Sequence, residues 1–248
     1  MSKVITITSG KGGVGKTTTS INLATALNLF GKETIIVDAN LTTPNVGLHL
    51  GAPIVPVSLN HVMSGKAKIP DAIYEHESGT KIIPSSLSIG ELKRLNHNKL
   101  TEIGKKLRKM ADFVIYDSAA GLGEEAIAAI VAADEIIIVT NPEIPAVTDA
   151  LKTSKLVEQL GKEVKGVIVT RKSNSKTEMP ISNIKDMLEL PIIGVVPEDQ
   201  KIKSALVMKD AVIHTHPYSK SAIAYKKIAA KIAGVQYREP SLWNRMFG

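Results

Sequence analysis

Residues 3–18 read KVITITSGKGGVGKTT, and the fold is decided within them. The run from Val4 to Thr8 is β-branched throughout and predicts a strand. It passes without a linker into Gly10, four residues, then Gly15, Lys16 and Thr17, which is the G-x-x-x-x-G-K-[ST] phosphate loop, and then into a segment that predicts a helix. A strand before the loop and a helix after it are the context this motif needs. The glycines let backbone N–H groups turn toward phosphate oxygens, and the helix N-terminus adds partial positive charge. Lys16 neutralises the terminal phosphates, and the Thr17 hydroxyl suits Mg²⁺. The nucleotide-binding candidates are therefore Gly10, Lys11, Gly12, Gly13, Val14, Gly15, Lys16, Thr17 and Thr18. One lysine is unexplained: Lys11 lies in a loop that Lys16 already serves.

Further along, the same kind of strand recurs as TIIVD, KIIPS, FVIYDS, EIIIVT, GVIVT and PIIGVV. These runs are apolar throughout rather than alternating, the pattern of strands covered on both faces. The segments between them are long enough for helical crossovers. The reading is an α/β protein with a doubly wound, mostly parallel sheet, helices on both faces and ligands at the carboxyl ends of its strands. Residues 1–236 read as one domain and 237–248 as a short tail.

At 248 residues and 44% hydrophobic the chain can bury a full core. It contains no cysteine, which removes disulfides and thiolate metal sites and fits a reducing compartment. No signal segment or membrane-spanning run is expected, so the body reads as soluble and cytoplasmic. The net charge of +7 is concentrated at one end: residues 200–248 hold nine Lys and Arg against Asp210 and Glu239, leaving 22 of each sign before them. That asymmetry points to an anionic surface, either membrane or nucleic acid. Lys105, Lys106, Arg108 and Lys109 are expected on the solvated face of a helix with Leu107 and Met110 inward. His214 and His216 read as a polar loop rather than a metal site, since no third ligand is nearby.

The loop K-G-G-x-G-K-T-T, with its second lysine, resembles the deviant Walker A ATPases of the MinD/ParA family. The segments VDAN, FVIYDSAAG, VTNPEIPAVTDALK, VIVTR and VVPED follow in the family's order, and the similarity to archaeal and bacterial MinD spans nearly the whole chain. The resemblance implies an ATPase that uses ATP and Mg²⁺, in which Lys11 reaches across an ATP-sandwiched homodimer to the partner's phosphates. It implies catalytic roles for Lys11, Lys16, Asp38 and the position of Asn40, and metal roles for Thr17, Asp38 and Asp117. It places Asn141 and Glu143 near the dimer face, with Glu143 directed at the partner's ribose. It assigns Arg171, Pro197, Glu198 and Asp199 to the adenine pocket, although Thr170 stands where many relatives carry asparagine. Ala119 replaces the proline usual in the second switch.

The chief departure is Asn40, where the family has a second carboxylate beside the attacking water. An amide orients water but accepts no proton, so slow hydrolysis is expected. A turn-forming asparagine without a catalytic role is the other reading.

The chain ends REPSLWNRMFG. Leu242, Trp243, Met246 and Phe247 fall on one face of a short helix, with Arg238 and Arg245 flanking, which suits an amphipathic anchor at an anionic membrane surface. Packing on its own domain or on a partner is the alternative. The functional expectation is a MinD-type switch, cytoplasmic and peripheral on the inner face of the cell membrane when ATP-bound, that positions an unidentified cargo or activating protein. A ParA-like DNA-partitioning ATPase is the alternative. A metal-cluster carrier is removed by the absence of cysteine.

Overall fold

A computed structural model describes residues 2–92, 96–173 and 175–239. Its strands are β1 (Lys3–Ser9), β2 (Thr34–Ala39), β3 (Tyr74–Glu75), β4 (Lys81–Ile83), β5 (Phe113–Ala120), β6 (Glu135–Thr140), β7 (Val164–Lys172) and β8 (Ile192–Pro197). The helices are α1 (Lys16–Leu29), α2 (Val46–His49), α3 (Leu59–Met63), α4 (Ile89–Leu92), α5 (Lys99–Leu107) and α6 (Glu124–Ala132). They continue as α7 (Ile144–Gln159), α8 (Ile181–Leu188), α9 (Gln200–Val207), α10 (Val212–Thr215) and α11 (Lys220–Ala233).

The eight strands form one sheet in the order β3-β4-β2-β5-β1-β6-β7-β8. Every pairing is parallel except β3 with β4. From β1 the chain winds first toward β2 and later, through β6, to the other side. The carboxyl end of β1 is thus the switch point, where open α/β sheets leave a crevice for ligands.

The uniformly apolar strands divide residue by residue between two cores. Val4, Ile35, Val37, Val114, Tyr116, Ile136 and Ile138 pack on one face, while Ile5, Ile7, Ile36, Ile115, Ile137 and Val139 pack on the other. A strand loaded on both faces needs no polar alternation, because its side chains still alternate sides. Helix α1 lies in the second core and is buried along most of its length, so its polar side chains find partners inside. Thr19 Oγ1 is 3.2 Å from Tyr225 Oη and Thr25 Oγ1 is 2.9 Å from Thr80 Oγ1. Helix α11 closes over β8 because residue 194 is glycine: a Cβ there would lie 2.2 Å from Ile228 Cγ1.

One strand escapes the sequence reading, and two local expectations need correction. The antiparallel strand β3 has only two residues, too few for a periodic signal. Met110 is exposed rather than inward, because α5 ends at Leu107 and the chain turns before reaching it. His214 lies on α10, paired through Nδ1 with the buried Asp210, and His216 Nδ1 is 2.9 Å from Thr215 Oγ1. The residues of the expected anchor, Leu242, Trp243, Met246 and Phe247, lie outside the described residues. Among the described residues no helix is long and apolar enough to cross a membrane.

Candidate nucleotide-binding site

The phosphate loop leaves β1 after Ser9 and enters α1 at Lys16. Gly13 and Gly15 take φ of 79° and 90°, a region that side-chain-bearing residues rarely adopt. Gly10 is required for a different reason: a Cβ on it would lie 2.3 Å from the backbone oxygen of Asp149 on α7. Thr170 secures the loop from beneath, its hydroxyl lying 2.6 Å from the Val14 carbonyl and 3.1 Å from that of Thr140. The departure from asparagine at this position therefore has a packing role.

Charge is concentrated where α1 faces the ends of β2 and β5. Lys16 is buried, with Nζ 3.6 Å from Asp117 Oδ1. Thr17 Oγ1 donates to Asp117 Oδ2 at 2.6 Å and Ser20 Oγ donates to Oδ1 at 2.9 Å. Asp38 pairs in register with Asp117 and accepts from the amides of Asn40, Asn45 and Val46. Burial, and then the Asp117 carboxylate, push the Asp38 carboxyl up to about 8 despite those amides. A hydroxyl with two carboxylates is the hard-oxygen donor set that suits Mg²⁺, and an added cation would relieve the repulsion between the two aspartates.

Lys11, next to the cleft-lining Gly12, pairs with Glu143 at 3.6 Å, and both are exposed. Asn141 is buried, and its Oδ1 has no hydrogen-bond partner. The Asn40 side chain closes its own loop: Nδ2 donates to the Thr43 carbonyl at 2.6 Å, and Oδ1 accepts from Thr43 Oγ1 at 3.0 Å. The expected adenine residues divide between two hollows. Arg171 lines the phosphate cleft, whereas Pro197, Glu198 and Asp199 line a neighbouring groove of about 1120 Å³. Both Asp199 carboxylate oxygens are already engaged, one by the Lys201 amide and the other by Ser221.

Sequence reasoning missed Ser20, Thr42, Glu125 and His49. Ser20 follows Thr17 by three residues, one helical turn that puts both hydroxyls on one face, so spacing was enough to find it. Thr42 and Glu125 are 83 residues apart and meet only in the folded chain: the Thr42 hydroxyl and amide both donate to the Glu125 carboxylate. His49 lines the same cleft, and burial holds its pKa below the ordinary imidazole value.

These groups surround a cleft of about 790 Å³ into which Gly12 and Gly13 open. A Cβ built on either glycine meets nothing within 4 Å, so backbone lines that part of the cleft and can come close to a bound anion. Together the sheet, the loop and the buried lysine define a P-loop nucleotide-binding protein. Residues 5–211 match the CobQ/CobB/MinD/ParA nucleotide binding domain, and the chain belongs to that family.

Three relatives are informative. An uncharacterized ATP-binding protein of Methanocaldococcus jannaschii is 43% identical over 96% of this chain and 90% of its own. The septum site-determining protein MinD of Neisseria meningitidis is 33% identical across 100% of both chains. The solved structure of the septum site-determining protein MinD from Pyrococcus horikoshii, complexed with Mg-ADP, superposes with a TM-score of 0.89 at 35% identity, covering 94% of this chain and 96% of that one.

Proposed function

We propose that this protein is a MinD-type ATPase switch: with ATP and Mg²⁺ two copies close face to face, the closed pair holds an anionic membrane surface through its C-terminal tails, and hydrolysis releases it. The observation that carries this reading is Lys11. In a cleft that already holds the buried Lys16, Lys11 is 44% exposed and, among the described residues, its ammonium is tied only to Glu143, itself 56% exposed. Such a pair contributes roughly 0–1 kcal/mol, so it gives way readily when a phosphate is offered. Apolar surface beside it supports pairing: Ile144, next to Glu143, is 66% exposed, and Leu122 is 42% exposed in the loop whose Gly121 amide bonds to Ser9.

In this reading Thr17, Asp117 and Asp38 would hold Mg²⁺, which neutralises phosphate charge when bound. Lys16 and the amides of residues 10–17 bind the phosphates, and Arg171 borders the remaining nucleotide. Lys11 of each copy completes the site of the other. Membrane affinity then follows from presentation. One tail offers four large apolar side chains, worth roughly 1.5–3 kcal/mol each at full burial, before losses to partial burial and ordering. Two tails held together gain roughly 10² or more by effective concentration. Lys220, Lys227 and Lys231 lie on the exposed side of α11 while Tyr225 and Ile228 point into the core; Lys227 is ion-paired with Glu239, an exposed contact that gives way readily, so the stripe can face an anionic surface. The cargo is a protein to be positioned, as at a division site or in surface machinery.

The same lysine stripe supports the second reading, a DNA-partitioning ATPase. Cosedimentation with anionic vesicles in ATP, ADP and no nucleotide, alongside a duplex DNA retention assay, decides between them. Vesicle binding only with ATP supports the switch, whereas ATP-dependent retention on DNA without vesicle binding favours the second reading.

A further inference from the structure

Asn40 cannot accept a proton, so any carboxylate beside the attacking water must come from elsewhere in the cleft. The carboxylates lining or flooring the phosphate cleft are Asp38, Asp117, Glu124 and Glu125. Asp38 and Asp117 are fully buried, Asp38 held by three backbone amides and Asp117 by Thr17, Ser20 and Lys16. Their oxygens are committed to the cation side of the cleft. Glu124 is exposed at the start of α6. Glu125 is half-buried, lines the cleft, and is held in place by Thr42, two residues beyond Asn40. Its carboxylate accepts from both the amide, at 3.2 Å, and the hydroxyl of Thr42. An ionised carboxylate has about four acceptor positions, so two remain for water.

We propose that Glu125 supplies the water-positioning carboxylate of this ATPase, reaching the loop that follows β2 from the start of α6 in place of residue 40. The Thr42 contacts orient Glu125, and the Asn40–Thr43 hydrogen bonds fix the loop that carries Thr42. In the hydrolytic step the water oxygen bonds to the γ-phosphorus. The bond from that phosphorus to the β,γ-bridging oxygen breaks, leaving its electron pair on ADP. The water proton passes to the Glu125 carboxylate and from there to the phosphate product. The assignment rests on the ATPase reading given above and deepens it.

The test compares steady-state ATP turnover and ATP affinity in the full-length wild type, E125Q and the double variant E125Q/N40D. E125Q is expected to lower kcat at least tenfold with KM and ATP affinity within twofold, and E125Q/N40D to recover at least fivefold of that loss. A readout independent of turnover is hydrogen exchange in the nucleotide-free protein, where Glu125→Ala should speed exchange at the Thr42 amide at least fivefold while strand β5 stays protected. If E125Q turns over ATP within twofold of wild type, if N40D restores nothing, or if Thr42 exchange is unchanged, the assignment is overturned with the ATPase reading intact. Absence of turnover in the wild type overturns both.

Discussion

Asp38 and Asp117 stand opposite one another on β2 and β5, in parallel register and closed to solvent, with the single ammonium group of Lys16 3.6 Å from Asp117. Two carboxylates and one cation leave an excess negative charge in a buried place; burial first, and the Asp117 carboxylate second, raise the pKa of the Asp38 carboxyl to about 8.

That raised pKa makes stability depend on pH with a definite sign. The folded-state pKa of Asp38 is raised from 3.8 to about 8, so between those values the folded, cation-free chain binds a proton that the unfolded chain has lost. Stability contributed by this group is present below pH 4 and falls as pH rises toward 8. Asp38→Asn mimics the protonated carboxyl, so its melting temperature should be flatter from pH 5 to 8 and exceed the wild type's at pH 8 by about 3 °C or more, roughly 1 kcal/mol in a chain of this size. Mg²⁺ needs the ionised form, and its nucleotide complex should release about one proton on binding at pH 6.5. Calorimetry in two buffers of different ionisation heat measures that proton directly.

The two loop lysines should separate in their effects. Lys11→Ala is expected to leave ATP affinity within about threefold while abolishing the ATP-induced dimer, because its side chain reaches outward from the cleft. Lys16→Ala should lose both, since its buried ammonium also balances Asp117. Light scattering with ATP, alongside fluorescent-nucleotide titration, distinguishes the two. A Lys11→Ala dimer of wild-type stability would refute the trans role.

Gly10 and Gly12 offer a contrast between packing and binding. Gly10→Ala drives a methyl group into the backbone of Asp149, which no rotamer change relieves, and should cost about 1–3 kcal/mol of stability. Gly12→Ala meets open space and should leave the melting temperature nearly unchanged while weakening nucleotide binding by protruding into the cleft. Thermal melts with and without nucleotide check both.

Removing the tail should separate membrane binding from nucleotide chemistry. Truncation after Pro240 is expected to abolish ATP-dependent vesicle binding with dimerisation retained, and Trp243→Glu to do nearly the same. Higher salt should weaken but not eliminate binding of the intact chain, since the lysines of α11 are screened and apolar burial is not. Trp243 is the only tryptophan, so its emission should shift to the blue only when vesicles and ATP are both present.

Linear sequence was enough wherever the signal was local. The loop from Gly10 to Thr17, seven of the eight strands, and the buried Asp117 within β5 could be read because each rests on adjacent residues or on a period of two or 3.6. Tertiary structure decided what depends on distant residues meeting: that Glu125 joins Asn40 in the lining of the phosphate cleft, held there by Thr42, that Thr170 supports Val14, and that Arg171 and Asp199 line separate hollows. It also decided why Gly10 is glycine, since the obstruction is a carbonyl 139 positions away. Periodicity records which face of an element is buried, but it carries no information about what that face is buried against. Those contacts arise when the crossovers return α6 and α7 to the carboxyl end of β1, and the chemistry of the cleft is assembled there.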